Sequence, residues 1–330
     1  MLEQPIWAGG RLANGIRRAR ANFQAGSSAV REAQQIITLR TVQAYYDLAI
    51  SARRETILTD GLEQHRLLVE TIRRRVMQEV SPRSDLELAL SRTAQIEQEL
   101  AAANGAQMAA YSRILELVGD SAIDLGPVPV YDPLAAEAVR ADAIEQALAC
   151  SPTIERLRHE FSRAEAERKV AKSSLFPQIV GQLSHNEITG SRAGVTLRMQ
   201  TGNGLSQLAA VSSADARIDG AAQQIATAER ELREALRLDF VDNDAARSRA
   251  VSGARAESSA MLVTESYKRQ FLAGRRTWLD VMNAVREATT SRLSVADAQV
   301  AAMASAARIS LRTCRWQPGI ETRSESEGQP

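Results

Sequence analysis

The sequence predicts a mainly α protein of long antiparallel coiled-coil helical hairpins, with a few short β-strands. Three observations predict it. A hairpin tip occurs twice, in residues 80–92 (VSPRSDLELALSR) and 267–287 (YKRQFLAGRRTWLDVMNAVRE), which marks an internal duplication of long period. Only 4% of the chain is aromatic, while Ala, Arg, Glu, Gln and Leu dominate, as in packed long helices rather than a thick globular core. Finally, apolar residues recur in steps of three and four over most of the 330 residues and change to steps of two only within 176–200.

Residues 1–10 read as the tail of a strand and a tight turn, with Pro5 ending the pairing and Gly9 and Gly10 permitting the bend. A first helical hairpin is expected over 11–120. No proline precedes Pro82, and Leu58, Leu62, His65, Val69, Ile72 and Val76 form a heptad seam, which makes His65 a packing residue rather than a ligand. At the first tip Pro82 replaces a glycine and Ser84 is expected to cap the returning helix. That helix carries a seam through Leu86, Ala89, Thr93, Ile96, Leu100, Ala103, Gln107, Ala110, Ile114 and Leu117 and ends at Gly119. Residues 121–135, with Gly126, Pro127, Pro129 and Pro133, read as an ordered linker.

The second repeat is expected over 136–316. A helix starts near Ala136 and breaks at Ser151-Pro152, where Ser caps and Pro takes the first helical position. A strand pair follows over 176–200, turning near Asn186, Gly190 and Ser191. Its apolar face carries Val195, Leu197 and Met199, and its polar face Thr196, Arg198 and Gln200. Gly202-Asn203-Gly204 closes the strand pair, and a second hairpin spans 205–312, its first helix on the order of 100 Å long. Gly274 ends that helix with a positive φ, Arg275 and Arg276 come near its last carbonyls, and Thr277 caps a helix opened by Trp278, Leu279 and Asp280. Gly10 is matched to Gly204, Leu39-Arg40 to Leu232-Arg233 and Asp85 to Asp280. Residues 317–330 are polar and expected to be disordered.

Composition narrows the functional classes. A net charge of +1 with interleaved signs gives no nucleic-acid footprint. The two cysteines, Cys150 and Cys314, have no metal or redox spacing and are read as incidental small residues. There is no apolar run of about 18 residues and no signal-peptide pattern at the N-terminus. His65, His159 and His185 stand far apart, and Gly202-Asn203-Gly204 reads as a turn rather than a phosphate loop, so no enzyme, catalytic residue, metal or cofactor is expected.

Five motifs in order carry a resemblance to the TolC-like outer-membrane factor family. They are QPIWAGGR at 4–11, QAYY at 43–46, Ser84-Asp85-Leu86 at the first tip, Phe176-Pro177 at strand entry, and GRRTWLDV at 274–281. The likeness runs from residue 1 to about Trp316. It implies a homotrimer in which three chains share one β-barrel in the outer membrane and one α-barrel tunnel in the periplasm, with a periplasmic adaptor and an inner-membrane transporter as partners. It further implies a passive conduit for efflux or type I secretion, with the second tip most similar to the secretion and agglutination-protein branch. Val195, Leu197 and Met199 would face outer-membrane lipid and Thr196, Arg198 and Gln200 the lumen. Ser81, Pro82, Arg83, Ser84, Asp85, Gly274, Arg275, Arg276, Thr277 and Asp280 would meet the adaptor.

Proteins of that family carry a signal, helices and a first membrane strand before the position of Met1. The sequence is therefore expected to be N-terminally truncated, either because the coding start lies upstream or because this is a non-functional copy that forms no pore by itself. A soluble coiled-coil scaffold is the competing reading; it would stay in the soluble fraction, whereas a channel would sediment with outer membrane.

Overall fold

Two copies of one hairpin plan set the order of elements. In the computed structural model, residues 2–119, 123, 125–186, 190–199 and 206–316 are described. The order is β1 (Leu2–Trp7), α1 (Arg11–Met77), α2 (Arg83–Val118), α3 (Ala143–Cys150), α4 (Pro152–Ser173), β2 (Gln178–Asn186), β3 (Gly190–Arg198), α5 (Ser206–Leu272) and α6 (Trp278–Arg312). Both long helices have 67 residues. The last boundaries, Val118 and Arg312, are 194 positions apart, while Arg11 and Ser206, Met77 and Leu272, and Arg83 and Trp278 are each 195 apart. The Asp85 and Asp280 match keeps that spacing. The Leu39 and Leu232 match falls two residues short of it and is corrected, because similar dipeptides recur along Ala- and Arg-rich helices. Gly204, Gln200 and the turn at 202–203 lie outside the described residues, as do 317–330.

The chain divides into two compact units. The first comprises Met1–Gln35 and Ile144–Glu234. Its sheet has the order β1-β2-β3 with both pairings antiparallel. Pro5 does not end the pairing, as expected from the sequence. It sits opposite Val180, and β1 continues through a register shift to Trp7 opposite Ile179. An edge strand tolerates this, since only one side of its backbone must supply ladder donors. In the same unit Ser151 accepts from Ile154 N and Pro152 occupies the first turn of α4, as the sequence suggested. Small buried residues, Ala21, Ala25 and Ser28 of α1 and Ala164 of α4, let the helix backbones approach. Ion pairs of Arg31 with Glu155 (2.7 Å) and of Arg156 with Glu32 tie α1 to α4, and Arg168 with Asp215 ties α4 to α5. The Arg156 hydrogen bond holds the Glu32 carboxyl below its ordinary pKa, against an opposing effect of burial.

The second unit comprises Ile36–Ala143 and Ala235–Pro330. Here α1 and α2 run antiparallel: Ile72 meets Ala89 in one cluster, while Leu58 and Leu62 meet Ile96 and Ala103 in another. Of the seam residues, Leu58, Leu62, His65, Val69 and Ile72 are buried, as are Ala89, Thr93, Ile96, Ala103, Ala110 and Ile114, while Val76, Leu86, Leu100, Gln107 and Leu117 are half-buried. Helix α6 is central. It binds α1 through Arg54–Asp297 (2.7 Å) and Asp60–Arg292 (2.9 Å), and α5 through Asp239, whose carboxylate accepts from both Arg308 (2.7 Å) and Arg312 (2.9 Å). A methyl group on Gly61 would lie 2.9 Å from Thr289 Oγ1, and one on Gly253 2.9 Å from Val295 Cγ2. Glycine at these positions is therefore a packing requirement.

Further expectations are corrected. The helix placed near Ala136 starts at Ala143. Residues 133–136 form only a turn, closed by Ala136 N donating to Asp132 O and Leu134 N to Asp132 Oδ1, and Asp142 at φ 53° interrupts the chain just before α3. Cys150 and Cys314 are both disulfide-bonded, and neither is a free thiol. Local spacing carries no signal for half-cystines so far from any second cysteine in sequence.

Candidate functional site

At the second tip, α5 ends as its sequence requires. Gly274 has φ 68°, its N–H reaches Phe271 O (3.0 Å), and Arg275 N reaches Gln270 O (2.9 Å). The approach to the last carbonyls is thus made by the Arg275 backbone. The Arg276 guanidinium instead lies 4.2 Å from the Tyr267 ring centroid and donates to Gln270 Oε1. Thr277 closes a complete capping box: its Oγ1 accepts from Asp280 N (3.2 Å), and Asp280 Oδ2 accepts from Thr277 N (3.2 Å). The Thr277 hydroxyl also donates to Asp280 Oδ2 (2.8 Å), and this bond first, then that from Thr277 N, holds the Asp280 carboxyl below its ordinary pKa.

The first tip is built differently. Here α1 ends with Glu79 at φ 59°, Val80 N donating to Arg75 O (2.9 Å) and Arg75 Nε donating to Ser81 Oγ (3.3 Å). Ser84 does not cap α2. The helix starts at Arg83, its N-cap is Pro82 at φ −70° and ψ 155°, and no side chain caps it. The fixed φ of proline gives the extended entry that a hydroxyl would otherwise anchor, which leaves Ser84 exposed inside the first turn.

The two tips touch. Trp278 Nε1 donates to Asp85 Oδ2 at 2.9 Å, and its ring packs with Val69, Ile72, Ala89 and Met282, flanked by Phe271. Pro82, Arg83, Ser84, Gly274, Arg275, Arg276 and Thr277 are exposed around this plug, while Ser81, Asp85 and Asp280 are half-buried. Sequence reasoning missed Met77, Val80 and Leu272, exposed at 71%, 59% and 83% beside the tips. Their signal was present: each is apolar yet lies off the seam at a helix end.

The sheet has two chemically distinct faces. Val195 opposite Gly181, Leu197 opposite Ile179, and Leu2 opposite Leu183 share one face, and Ile6 packs over Gly181. Val195 and Leu197 are 71% and 68% exposed there. On the other face Glu3 Oε1 accepts from Gln182 Nε2 (2.8 Å) and Arg198 Nη2 (3.3 Å), and Thr196 donates to Gln182 Oε1 (3.1 Å). Thr196 and Arg198 thus fall together as expected, joined by Glu3 and Gln182, which the sequence pattern did not single out. Met199 lies one residue past β3 and is exposed. Trp7 and Phe176 meet edge to face at 6.5 Å where strand joins helix. Among the described residues no group of three His, Cys, Asp or Glu side chains could hold a metal, and no helix is long and apolar enough to cross a membrane.

No family model and no curated protein match the sequence. Solved structures do. The outer membrane protein VceC of Vibrio cholerae aligns with TM-score 0.83 at 15% identity, over 94% of this chain and 77% of that one. The Campylobacter jejuni CmeC outer membrane channel gives 0.79 at 14%, over 94% and 69%. The open state of the Neisseria gonorrhoeae MtrE outer membrane channel gives 0.78 at 14%, over 92% and 72%. Such identities establish the fold and nothing finer: long helices in hairpins and a small three-stranded antiparallel sheet, as in TolC-like outer-membrane channels.

Proposed function

We propose that this chain is a subunit of an outer-membrane channel, a passive conduit that works with a periplasmic adaptor and an inner-membrane transporter in efflux or type I secretion. The observation that carries the reading is the two-faced sheet. Strands β2 and β3 have nine residues each, the length a tilted strand needs to cross the hydrocarbon, which is about 9 to 11 residues. One face is apolar and exposed, and the other is a hydrogen-bonded polar network. In this reading Leu2, Ile6, Val195 and Leu197, followed by Met199, face lipid, Glu3, Gln182, Thr196 and Arg198 face the lumen, and Trp7 and Phe176 sit at the interface. Two disulfide-bonded cysteines fit an oxidising compartment such as the periplasm.

Three copies complete the barrel and tunnel in this proposal, and the tip residues from Ser81 to Asp85 and from Gly274 to Asp280 receive the adaptor. Exposed Met77, Val80 and Leu272 add an apolar contact to that polar ring. The GRRTWLDV stretch favours a type I secretion transporter as the partner. Fractionation tests the core of the proposal: the protein should sediment with outer membrane, need detergent for release, and size as a trimer in mild detergent. Recovery of a soluble monomer would instead establish the coiled-coil scaffold. With both native cysteines in disulfides, single cysteines at Arg83 and Arg275 should cross-link to the adaptor; cross-links only from Arg192 would invert the assigned orientation.

A further inference from the structure

In the second unit, away from the tips, a cleft of about 510 Å³ opens between α2 and α6 over α1. It is lined by His65 of α1, Arg92, Gln95 and Glu99 of α2, and Arg286 and Thr290 of α6. Its charge is not internally balanced. Arg92 donates to the neutral amide of Asn283, Arg286 has no carboxylate within ion-pair distance among the described residues, and Glu99 is the one acidic group of the lining. Beneath them His65 is 1% exposed, and neither Nδ1 nor Nε2 has a hydrogen-bond partner. Buried polar nitrogens are rarely left unmatched, and such a group calls for an explanation, an ion or a water among the candidates.

We propose that this cleft binds a small tetrahedral oxyanion of the phosphate class between Arg92 and Arg286. A dianion matches two guanidinium groups, which bind phosphate oxygens as planar forks, and the Gln95 amide and Thr290 hydroxyl supply further donors. The imidazole reports occupancy from below. Burial first, then Arg92 and Arg286, lower the His65 pKa to about 4, so the ring is neutral while the cleft is empty. A bound anion cancels the two cationic contributions and raises that pKa. Glu99 from α2 opposes anion binding, while Lys268 of α5, which donates to neighbouring Gln64, is ion-paired with Glu265 (3.0 Å) and adds little net charge. This inference is independent of the proposed channel role.

The test is imidazole NMR on the full chain in detergent, where only three histidines contribute signals. Inorganic phosphate should raise the His65 midpoint saturably. Arg286→Gln should raise the phosphate-free midpoint, because one cation is lost, yet weaken phosphate affinity at least tenfold; Glu99→Gln should tighten it. Since Arg286 is exposed, its replacement leaves the fold intact. Glycerol 3-phosphate forms a second arm: a response to both assigns a phosphomonoester group, and a response to phosphate alone a free ion. An equal midpoint shift from sodium chloride at matched ionic strength, or undiminished phosphate affinity in Arg286→Gln, overturns the proposal.

Discussion

The two hairpin tips are copies by spacing and opposites by chemistry. The second stops its outgoing helix with a glycine in the left-handed region and starts the return with a full capping box. The first uses Glu79 in the same left-handed region, where a side chain is disfavoured, and an N-cap proline without any side-chain hydrogen bond. Boundary positions have nevertheless stayed 195 residues apart. The first tip therefore has a weaker local code, the fixed φ of Pro82 and the Arg75–Ser81 hydrogen bond, than the second. It leans on the second through the Asp85–Trp278 hydrogen bond and the shared plug around Ile72 and Met282. Local codes are fuller at the second tip, and the first depends more on packing against it.

The sharpest way to break this comparison is at Trp278, whose counterpart in the first copy is exposed Arg83. Trp278→Ala removes a nine-tenths buried ring and should cost about 3–5 kcal/mol in urea unfolding. Arg83→Ala should stay within about 0.5 kcal/mol. Trp278→Phe keeps most of the packing but strands Asp85, at a cost of about 1–2 kcal/mol. Equal effects at positions 278 and 83 would show that the tips support themselves separately.

Next in size is a difference in pH response between the copies. Position 65 carries histidine where the second copy has Ala260. The folded-state pKa of His65, about 4, lies below the ordinary value of 6.5, so between those pH values the unfolded chain binds a proton that the folded chain does not. Stability therefore falls on acidification from pH 6.5 towards 4, by on the order of 3 kcal/mol across the interval. His65→Leu should flatten that part of the profile. A slope unchanged by the substitution would place the acid sensitivity in other groups, and not in Glu32, whose lowered pKa acts only below its ordinary value of 4.5.

These differences also explain what the sequence could and could not disclose. Thr277, Asp280 and Gly274 are signals read within one turn of chain, and the structure places α6 over the span expected for it. The seams were legible because a periodicity sums over many residues, none of which must be right alone. The Ser84 cap failed because a proline two residues earlier had already fixed the helix entry. Asp85–Trp278 and Glu3–Arg198 were invisible for one shared reason: each depends on partners far apart in the chain, and no periodicity or turn signal encodes such a pairing.

A smaller contrast lies at the caps. Thr277→Ala removes a hydroxyl that accepts from Asp280 N and should cost about 1 kcal/mol, while Thr277→Ser should retain most of it. Ser84→Ala should change stability by less than about 0.5 kcal/mol, since its side chain caps nothing. A larger loss from Ser84→Ala than from Thr277→Ala in equilibrium unfolding would reverse the assignment of the capped and uncapped tips.

The finest test exchanges the helix-ending residues themselves. Gly274 at φ 68° and Glu79 at φ 59° adopt nearly the same backbone. Gly274→Ala brings a Cβ into the left-handed region and should destabilise by about 1 kcal/mol; no neighbouring atom lies within 4 Å of that Cβ, so the cost is purely conformational. Glu79→Gly works in the other direction. It relieves the same strain but adds backbone entropy to the unfolded chain, so the two effects oppose and the net gain should be below about 1 kcal/mol. Paired urea titrations read both changes on one scale. A loss of stability in Glu79→Gly would mean that Glu79 contributes more through its side chain than it forfeits in backbone strain, and the first tip would then have a stronger local code than Pro82 and the Arg75–Ser81 hydrogen bond provide.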